Sequence, residues 1–539
     1  MDQKVKKSTD IDLDKYRLRN FARRLVEMGE MEVINEPVAL TKVSEMVEGR
    51  KEKAILFKDV GPQHHEVAAK VMGNRRRLAA AFGVSVEQTF EELLRRTAQP
   101  GTIVEIPSNE APVHQVVLTG DQIDLTRLPF HPQHEFDGSC YISAGIDYTK
   151  DPQTGRTNVG SRRLSLRNRT STGTNVTAPS DLKRMYTACV ARGEKLPITF
   201  TIASHPLDMF AATTRKPGEE LQLVSSLRGE PAAVVRSITN DILVPADAEV
   251  ILAGYLCAEG YVEPEGPYGE YMGYYGAIHM DPVFHCTAVT MRKDAMFQTL
   301  LHGSAFDQDQ SDANVMSCLR TEAEAMRILK AAIPEPLDAY LCETSGGSNT
   351  LRVKIRQRRP GDARFAISSL FGGIMRLKHV FVFDEDIDIR DQKQVEWAMG
   401  TRFQADTDMI ILQGMMGMTM DPSLQGRRTG AKAGFDCTRP FGKDGQIPLT
   451  RCAAKIYSGA PAKFKNVEEA LAAGPKFYSQ VVEGLGSNDG REIALGLDEL
   501  RQKGKLGRDR DGRYHLVTNG KAGVTAIVGE LYHDPNHGA

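Results

Sequence analysis

The stretch Glu265-Gly266-Pro267-Tyr268-Gly269-Glu270 sets two carboxylates five residues apart around a Gly-Pro step and a second glycine. That order excludes a regular helix and predicts a tight, backbone-constrained loop. Tyr268 can screen such a loop from water. Two acids held in one partly dry place need not share a pKa. One stays ionised while the other keeps a proton near neutral pH, as proton-transfer chemistry requires. Without context, spacing alone favours the plainer reading of ExxxxE, a turn whose acids face solvent.

Other residues have chemical potential and ordinary readings side by side. Asn158 and Arg163 lie in Thr157-Asn158-Val159-Gly160-Ser161-Arg162-Arg163. Odd spacing puts them on opposite faces of a regular strand, and a bulge at Gly160 would bring them together. Paired arginines on a strand are otherwise surface residues. Asp181 follows Pro179-Ser180 and reads as a first-turn acid favoured by the helix dipole. Glu220, after Lys216-Pro217-Gly218, reads as a helix acid. Asn158, Asp181 and Glu220 together would be a hard oxygen set suited to Mg²⁺ or Mn²⁺, although spacing does not single that set out. His302 follows an apolar run, where a satisfied core histidine is the common case. His64-His65 and the His533–His537 tail lack acidic partners at ligand spacing. Gly346-Gly347 and Gly372-Gly373 lack the frame of a nucleotide fingerprint.

The elements that must position these residues fall into regions. At 539 residues the chain exceeds one ordinary core and predicts several domains. Its net charge of -2 offers no field for nucleic acid or an anionic membrane. No apolar run approaches the ~20 residues that span a bilayer, and the charged start lacks a signal-peptide core, so a cytoplasmic location is expected. Eight scattered cysteines form no CxxC pair, which disfavours zinc ribbons, iron–sulfur clusters and disulfide frameworks. Residues 1–125 read as an α/β region. It has a helix marked by Leu18, Phe21, Leu25 and Met28 and stopped at Gly29, a strand over Ala54–Phe57, and a solvated helix start at Arg75-Arg76-Arg77. Residues 126–315 read as a β-barrel or sandwich, with strands at Tyr141–Tyr148, Thr157–Leu166, Ile198–Ala203, Ala233–Ile238, Glu249–Leu256 and Val283–Met291. Residues 316–480 read as α/β, with a helix over Glu322–Ala332. There the strand His379–Phe383, the helix Gln392–Thr401 and the strand Met409–Leu412 suggest a parallel crossover. Residues 481–539 read as a tail with a helix at Arg491–Lys503 and a charged hairpin at Gly507–His515.

Five ordered blocks carry a resemblance to a known family. They are TNVGSRR (157–163), the stretch from Glu220 to Arg228-Gly229, SITNDILVPADAEVILAGY (237–255), PEGPYGEYMGYY (264–275) and FDEDIDIRDQKQVEWAMGTR (383–402). Together they resemble the UbiD family of decarboxylases, which use prenylated FMN. The resemblance implies a multidomain α/β fold: an N-terminal α/β region, a central split β-barrel for the cofactor and a C-terminal α/β domain for self-association. It implies that Arg163, Glu265 and Glu270 form the catalytic network, with Glu270 as proton donor. It implies cofactor binding by Asn158, Gly160, Ser161, Arg162, Arg163, Asp181 and Glu220, and a divalent metal (Mn²⁺, with Mg²⁺ or Fe²⁺ as alternatives) on Asn158, Asp181 and Glu220. Asp181 falls where the phenylacrylate-type enzymes have a metal-binding histidine. Their cofactor-phosphate lysine falls near Gly372-Gly373. K⁺ is expected at backbone carbonyls around Ala212–Thr214, and His302 is a substrate-side candidate. The implied partners are a small carboxylic acid, a flavin prenyltransferase and further copies of the chain, as a dimer or hexamer.

The implied reaction is reversible, non-oxidative decarboxylation of an aromatic, heteroaromatic or α,β-unsaturated acid through a covalent adduct, followed by protonation. An alternative substrate is an aromatic acyl-CoA with a ring carboxylate, for which basic stretches at 351–364 and 425–439 would form a rim. Two other classes compete. A non-catalytic assembly subunit is disfavoured by the intact Arg163, Glu265 and Glu270. An ordinary flavin oxidoreductase is disfavoured by the missing nicotinamide fingerprint.

Overall fold

The computed structural model describes residues 11–50, 52–215, 218–300, 302, 304–347, 349–418, 420–443, 449–509 and 511–517. Lys216, Pro217, Arg510 and the His533–His537 tail lie outside these residues.

Six antiparallel strands close into a barrel. In spatial order they are Val250–Leu256, Leu196–Ile202, Tyr141–Lys150, Thr157–Leu166, Ser171–Thr174 and Val283–Met291, which pairs back to Val250–Leu256. Closure leaves no free edge in the ring. Leu164, Phe200, Ile202 and Phe284 share one face of the ring, Ile146 and Tyr148 lie on the other, and all six are buried in the core. The Val116–Thr119 strand pairs outside the ring, against Val283–Met291.

The N-terminal sheet orders Met31–Ile34, Ala54–Val60, His65–Ala69 and Met296–Thr299. Its second strand runs through Val60, past the stop expected at Asp59-Val60-Gly61, and the turn begins at Gly61. The helix Leu18–Glu27 buries Leu18, Phe21 and Leu25, as its periodicity predicts. The reading of Arg75-Arg76-Arg77 as a solvated start needs correction. Arg77 is fully buried and donates to the Glu52 carbonyl at 2.8 Å, while Arg75 pairs with Glu322 and Glu343. Only Arg76 faces solvent. The acids that neutralise Arg75 lie far along the chain, so local charge pattern conceals them.

The Asp312–Ala332 helix starts ten residues before the expected Glu322, because Ser311 caps it by accepting from Asn314 N. Val315, Met316 and Leu319 pack into the large core, while Cys318, Ala325, Met326 and Leu329 pack under the C-terminal sheet. One rigid element thus joins barrel and sheet. That sheet orders Pro336–Leu341, Thr350–Ile355, His379–Asp384, Thr429–Cys437 and Met409–Met416. The expected parallel crossover does not run from His379–Asp384 to Met409–Met416. The Met409–Met416 strand sits at the edge, antiparallel to Thr429–Cys437, which intervenes and is parallel to His379–Asp384. The parallel crossover lies earlier, between Thr350–Ile355 and His379–Asp384, through the helix Asp362–Gly373.

Residues 1–438 form one compact unit and residues 439–539 a second. The second holds helices Val467–Ala472, Tyr478–Gly484 and Arg491–Gln502 and a hairpin of Leu506–Arg508 with Tyr514–Leu516, around Val467, Leu471, Val481, Ile493 and Leu497. No described helix is long and apolar enough to cross a membrane.

Beside the barrel, Arg228 donates to both Asp208 and Asp247 at 2.6–3.1 Å, and all three side chains are buried. Removing only the cation would strand two buried carboxylates. Arg228→Met should therefore cost about 3–5 kcal/mol in urea unfolding. A loss below ~1 kcal/mol would show that the trio is not structurally important.

Candidate active site

The acids of the 265–270 loop meet one arginine. Arg163 donates through Nε and Nη2 to both oxygens of Glu265, at 2.8 and 2.7 Å, and through Nη1 to Glu270 Oε1 at 2.7 Å. The solvent-facing turn that spacing favours is therefore not what forms. The two acids are inequivalent. The Glu265 side chain is 0% exposed and held on both oxygens, whereas Glu270 is 16% exposed and held on one. Burial works against the Arg163 charge, and the two carboxylates outweigh it, so its pKa lies above the usual arginine value. The centre of the Tyr268 ring lies 4.3 Å from the guanidinium carbon, and the ring meets Tyr141 at a 58° tilt with centroids 4.7 Å apart.

The loop is braced by residues that sequence reasoning missed. Asp137 accepts from Gly269 N at 2.9 Å and faces His134 Nδ1 at 3.0 Å. His134 Nε2 reaches the His302 carbonyl at 2.9 Å. With acceptors on both nitrogens, His134 is best satisfied as the imidazolium. Burial opposes that charge, and the Asp137 hydrogen bond and charge outweigh it, raising the His134 pKa. A Cβ on Gly269 would lie 2.4 Å from His134 Nδ1, so only glycine lets the loop seat there. The signal was the H-E-F-D-G run at 134–138, polar residues around a turn that spacing does not link to residue 269.

Arg163 reaches the loop without the bulge expected at Gly160. Gly160 pairs in regular register with Asp147, and the register shifts opposite Arg163, where Ser143 and Ala144 on the neighbouring strand face a single residue. Gly160 serves another purpose: a Cβ there would lie 2.6 Å from Asp147 Oδ1. Asp147 is fully buried, both its carboxylate oxygens lack hydrogen bonds, and burial pushes its pKa up. Arg162 Nε lies 3.9 Å away, also without a partner. Ser161 turns its hydroxyl to Met209 Sδ.

Glu220 sits at the start of the Leu221–Arg228 helix and accepts from Val159 N at 2.7 Å, one residue from Asn158. Burial raises its pKa, and the negative charges of Asp181 and Asp147 add to the rise. Asp181 opens its helix as Pro179-Ser180 predicts, but its side chain is 66% exposed and faces Arg184 at 3.5 Å. His302 is half-buried, with Nδ1 buried and unpartnered. Burial, helped by His134 and Arg163, pushes its pKa down to about 3, so the ring is neutral. The Thr213 carbonyl, in the stretch expected near K⁺, accepts from Arg320.

Three contiguous profiles match this chain: the 3-octaprenyl-4-hydroxybenzoate carboxy-lyase N-terminal domain over residues 22–97, its Rift-related domain over 104–305 and its C-terminal domain over 314–437. The chain belongs to the UbiD family of carboxy-lyases. Among UbiD relatives, an anhydromevalonate phosphate decarboxylase of Methanosarcina mazei is 30% identical over 78% of this chain and 96% of its own. The UbiD-class enzyme HmfF from Pelotomaculum thermopropionicum, solved with FMN, superposes with a TM-score of 0.76 at 29% identity, over 81% of this chain and 97% of its own. Vanillic acid decarboxylase of Sedimentibacter hydroxybenzoicus gives a TM-score of 0.73 at 26% identity, over 82% and 96%.

The UbiD site carries polar groups that a flavin fits. Buried polar atoms without partners gather around the acid network: Arg162 Nε, the Tyr141 hydroxyl, His302 Nδ1 and Asp281 Oδ2. Such atoms call for a polar ligand. Glu220, at the start of its helix, accepts from Val159 N beside Asn158 on the strand, and Asp181 is close enough to act on its charge.

The raised His134 pKa has a sign. Its stabilisation is complete below the unfolded value of about 6.5 and is lost as pH rises through the higher folded value. His134→Gln should therefore lower Tm more at pH 5.5 than at pH 9, by about 1–2 kcal/mol of differential stability. A pH-independent gap would contradict the ion pair.

Proposed function

We propose that this chain removes CO₂ from an aromatic, heteroaromatic or α,β-unsaturated carboxylic acid with prenylated FMN, and that Glu270 returns the proton. The observation that carries this reading is the inequivalence of the two acids on Arg163. Solved relatives with FMN or prenylated FMN support the cofactor. Loss of CO₂ from an sp² carbon leaves an electron pair with no stable home, and prenylated FMN supplies the sink for it when bound.

The chain's own groups do the rest. Arg163 and Glu265 form a fixed, charge-balanced pair that keeps the guanidinium in place. Glu270 has one oxygen on Arg163, and its second, Oε2, has no hydrogen bond among the described residues. It can turn that oxygen toward a carbon and hand over a proton, while Arg163 stabilises the carboxylate left behind. Tyr268 covers the guanidinium and excludes water. His302, neutral and unpartnered at Nδ1, meets the substrate side. Asn158, Glu220 and Asp181 would hold a divalent cation (Mn²⁺, Mg²⁺ or Fe²⁺), which would supply positive charge beside the cofactor. Gly160, Ser161 and Arg162 would line the cofactor, a flavin prenyltransferase would supply it, and the chain would self-associate.

Nothing favours the acyl-CoA substrate. In the stretch 351–364, Arg356 and Arg358 pair with Glu335, and Arg359 pairs with Asp362.

Glu270→Gln, loaded by co-expression with a flavin prenyltransferase, should keep its flavin absorbance and lose about 10²–10⁴-fold in CO₂ release across a panel of unsaturated and aromatic acids. Turnover at the parent rate would remove Glu270 from the donor role.

A further inference from the structure

One buried amide joins the barrel, the N-terminal sheet and the acid loop. Gln133 precedes the barrel strand Tyr141–Lys150 and is buried. Its Nε2 donates to Ser143 Oγ at 3.1 Å and to Thr299 Oγ1 at 3.3 Å. Its Oε1 accepts from the Tyr268 hydroxyl. Ser143 belongs to the bulge that faces Arg163, and its Oγ also accepts from Leu300 N at 2.9 Å. Thr299 ends the last strand of the N-terminal sheet. Tyr268 lies in the acid loop, with its ring centre 4.3 Å from the Arg163 guanidinium carbon.

The proton order along these groups is fixed from their far end. The Pro129 carbonyl can only accept, so His131 Nδ1, 3.1 Å away, carries the ring proton. Burial lowers the His131 pKa and keeps the ring neutral, which leaves Nε2 as an acceptor. Thr299 spends its one hydroxyl hydrogen on that nitrogen, at 3.3 Å. Its oxygen can then only accept from Gln133, which turns the amide nitrogen toward the hydroxyls and the amide oxygen toward the loop. Tyr268 must therefore donate. His131, Gln133, Ser143, Tyr268 and Thr299 are all buried, so bulk water does not replace a lost partner.

A tyrosine ring pinned at its hydroxyl cannot swing away from a cation on its face. His134 and Tyr141 flank the Tyr268 ring, at 5.5 and 4.7 Å between centres, and the hydroxyl is held by Gln133. We propose that Gln133 is a positioning residue for the decarboxylation: it holds Tyr268 over the Arg163 guanidinium and ties that ring to the bulge that aims the same arginine. Its effect reaches one guanidinium from two sides, through Tyr268 in the loop and through Ser143 in the strand. A cation–π contact fades beyond about 6 Å from the ring centre, so a small swing of the ring frees the fork. A displaced fork misplaces Glu270 and slows the chemical step more than binding. For its effect on turnover the proposal rests on the functional reading above. For its effect on the loop it rests on the hydrogen-bond geometry alone.

The test compares the cofactor-loaded full-length parent with Gln133→Met, Tyr268→Phe and the double variant. Gln133→Met keeps an unbranched side chain and strands the Tyr268 hydroxyl. It should lose about 10–10²-fold in kcat for CO₂ release, with KM changed less than about threefold. In hydrogen–deuterium exchange of the full chain, read by mass spectrometry, it should speed exchange in 264–275 at least about fivefold and leave the barrel strand 250–256 unchanged. The double variant should be no slower than the worse single variant, because both act through one hydrogen bond. Losses that multiply in the double variant overturn the proposal. So does a Gln133→Met enzyme with parent-like kcat, with a loss carried wholly by KM, or with parent-like exchange in 264–275. If the parent releases no CO₂ from any acid tried, the functional reading fails, and exchange in 264–275 still decides whether Gln133 positions the loop. Where Gln133→Met does not fold, Thr299→Val removes the hydroxyl that orients the amide and should show the same pattern in both readouts.

Discussion

The site depends on one guanidinium serving two carboxylates. Arg163 spends two donors on Glu265 and one on Glu270, and that asymmetry makes two chemically identical side chains different. A lysine could not do this, because a point-like ammonium cannot hold one carboxylate along a flat edge while reaching a second. The buried Glu265 cancels the arginine charge at fixed geometry. The more accessible Glu270 is left with an oxygen to use.

The fold exists, in large part, to keep that fork in register. The closed barrel removes edge slippage, and a two-against-one bulge opposite Arg163 sets the residue's aim. The loop is pressed onto the barrel by Asp137 and His134, through a contact that tolerates no side chain at Gly269. The long helix from Asp312 packs under both cores and carries Asn314, whose amide donates to the Tyr271 carbonyl. Loop, barrel and C-terminal sheet are therefore mechanically joined at the acids.

Local patterns made most of the scaffold legible. Thr157–Leu166 and Val283–Met291 were readable from composition and punctuation, as was the helix marked by Leu18, Phe21 and Leu25. The losses share a cause, which is that the deciding partner is distant in sequence. Arg75 and Arg77 look solvated until Glu322 and Glu52 arrive. The edge position of Met409–Met416 depends on a later strand inserting beside His379–Asp384. Family resemblance, not spacing, joined Arg163 to Glu265 and Glu270. The bracing pair His134 and Asp137 is close in sequence, but its contact with the loop at Gly269 left no mark there, because that partner lies far along the chain.

The most direct measurement is hydrogen–deuterium exchange into the product C–H bond, followed by NMR in D₂O, comparing the cofactor-loaded parent with Arg163→Lys. Exchange isolates the proton step from CO₂ loss. The Arg163 account predicts that the lysine variant keeps its flavin spectrum and loses at least about 10²-fold in exchange rate, because positive charge remains while the two-acid geometry is lost. Exchange at the parent rate would contradict it.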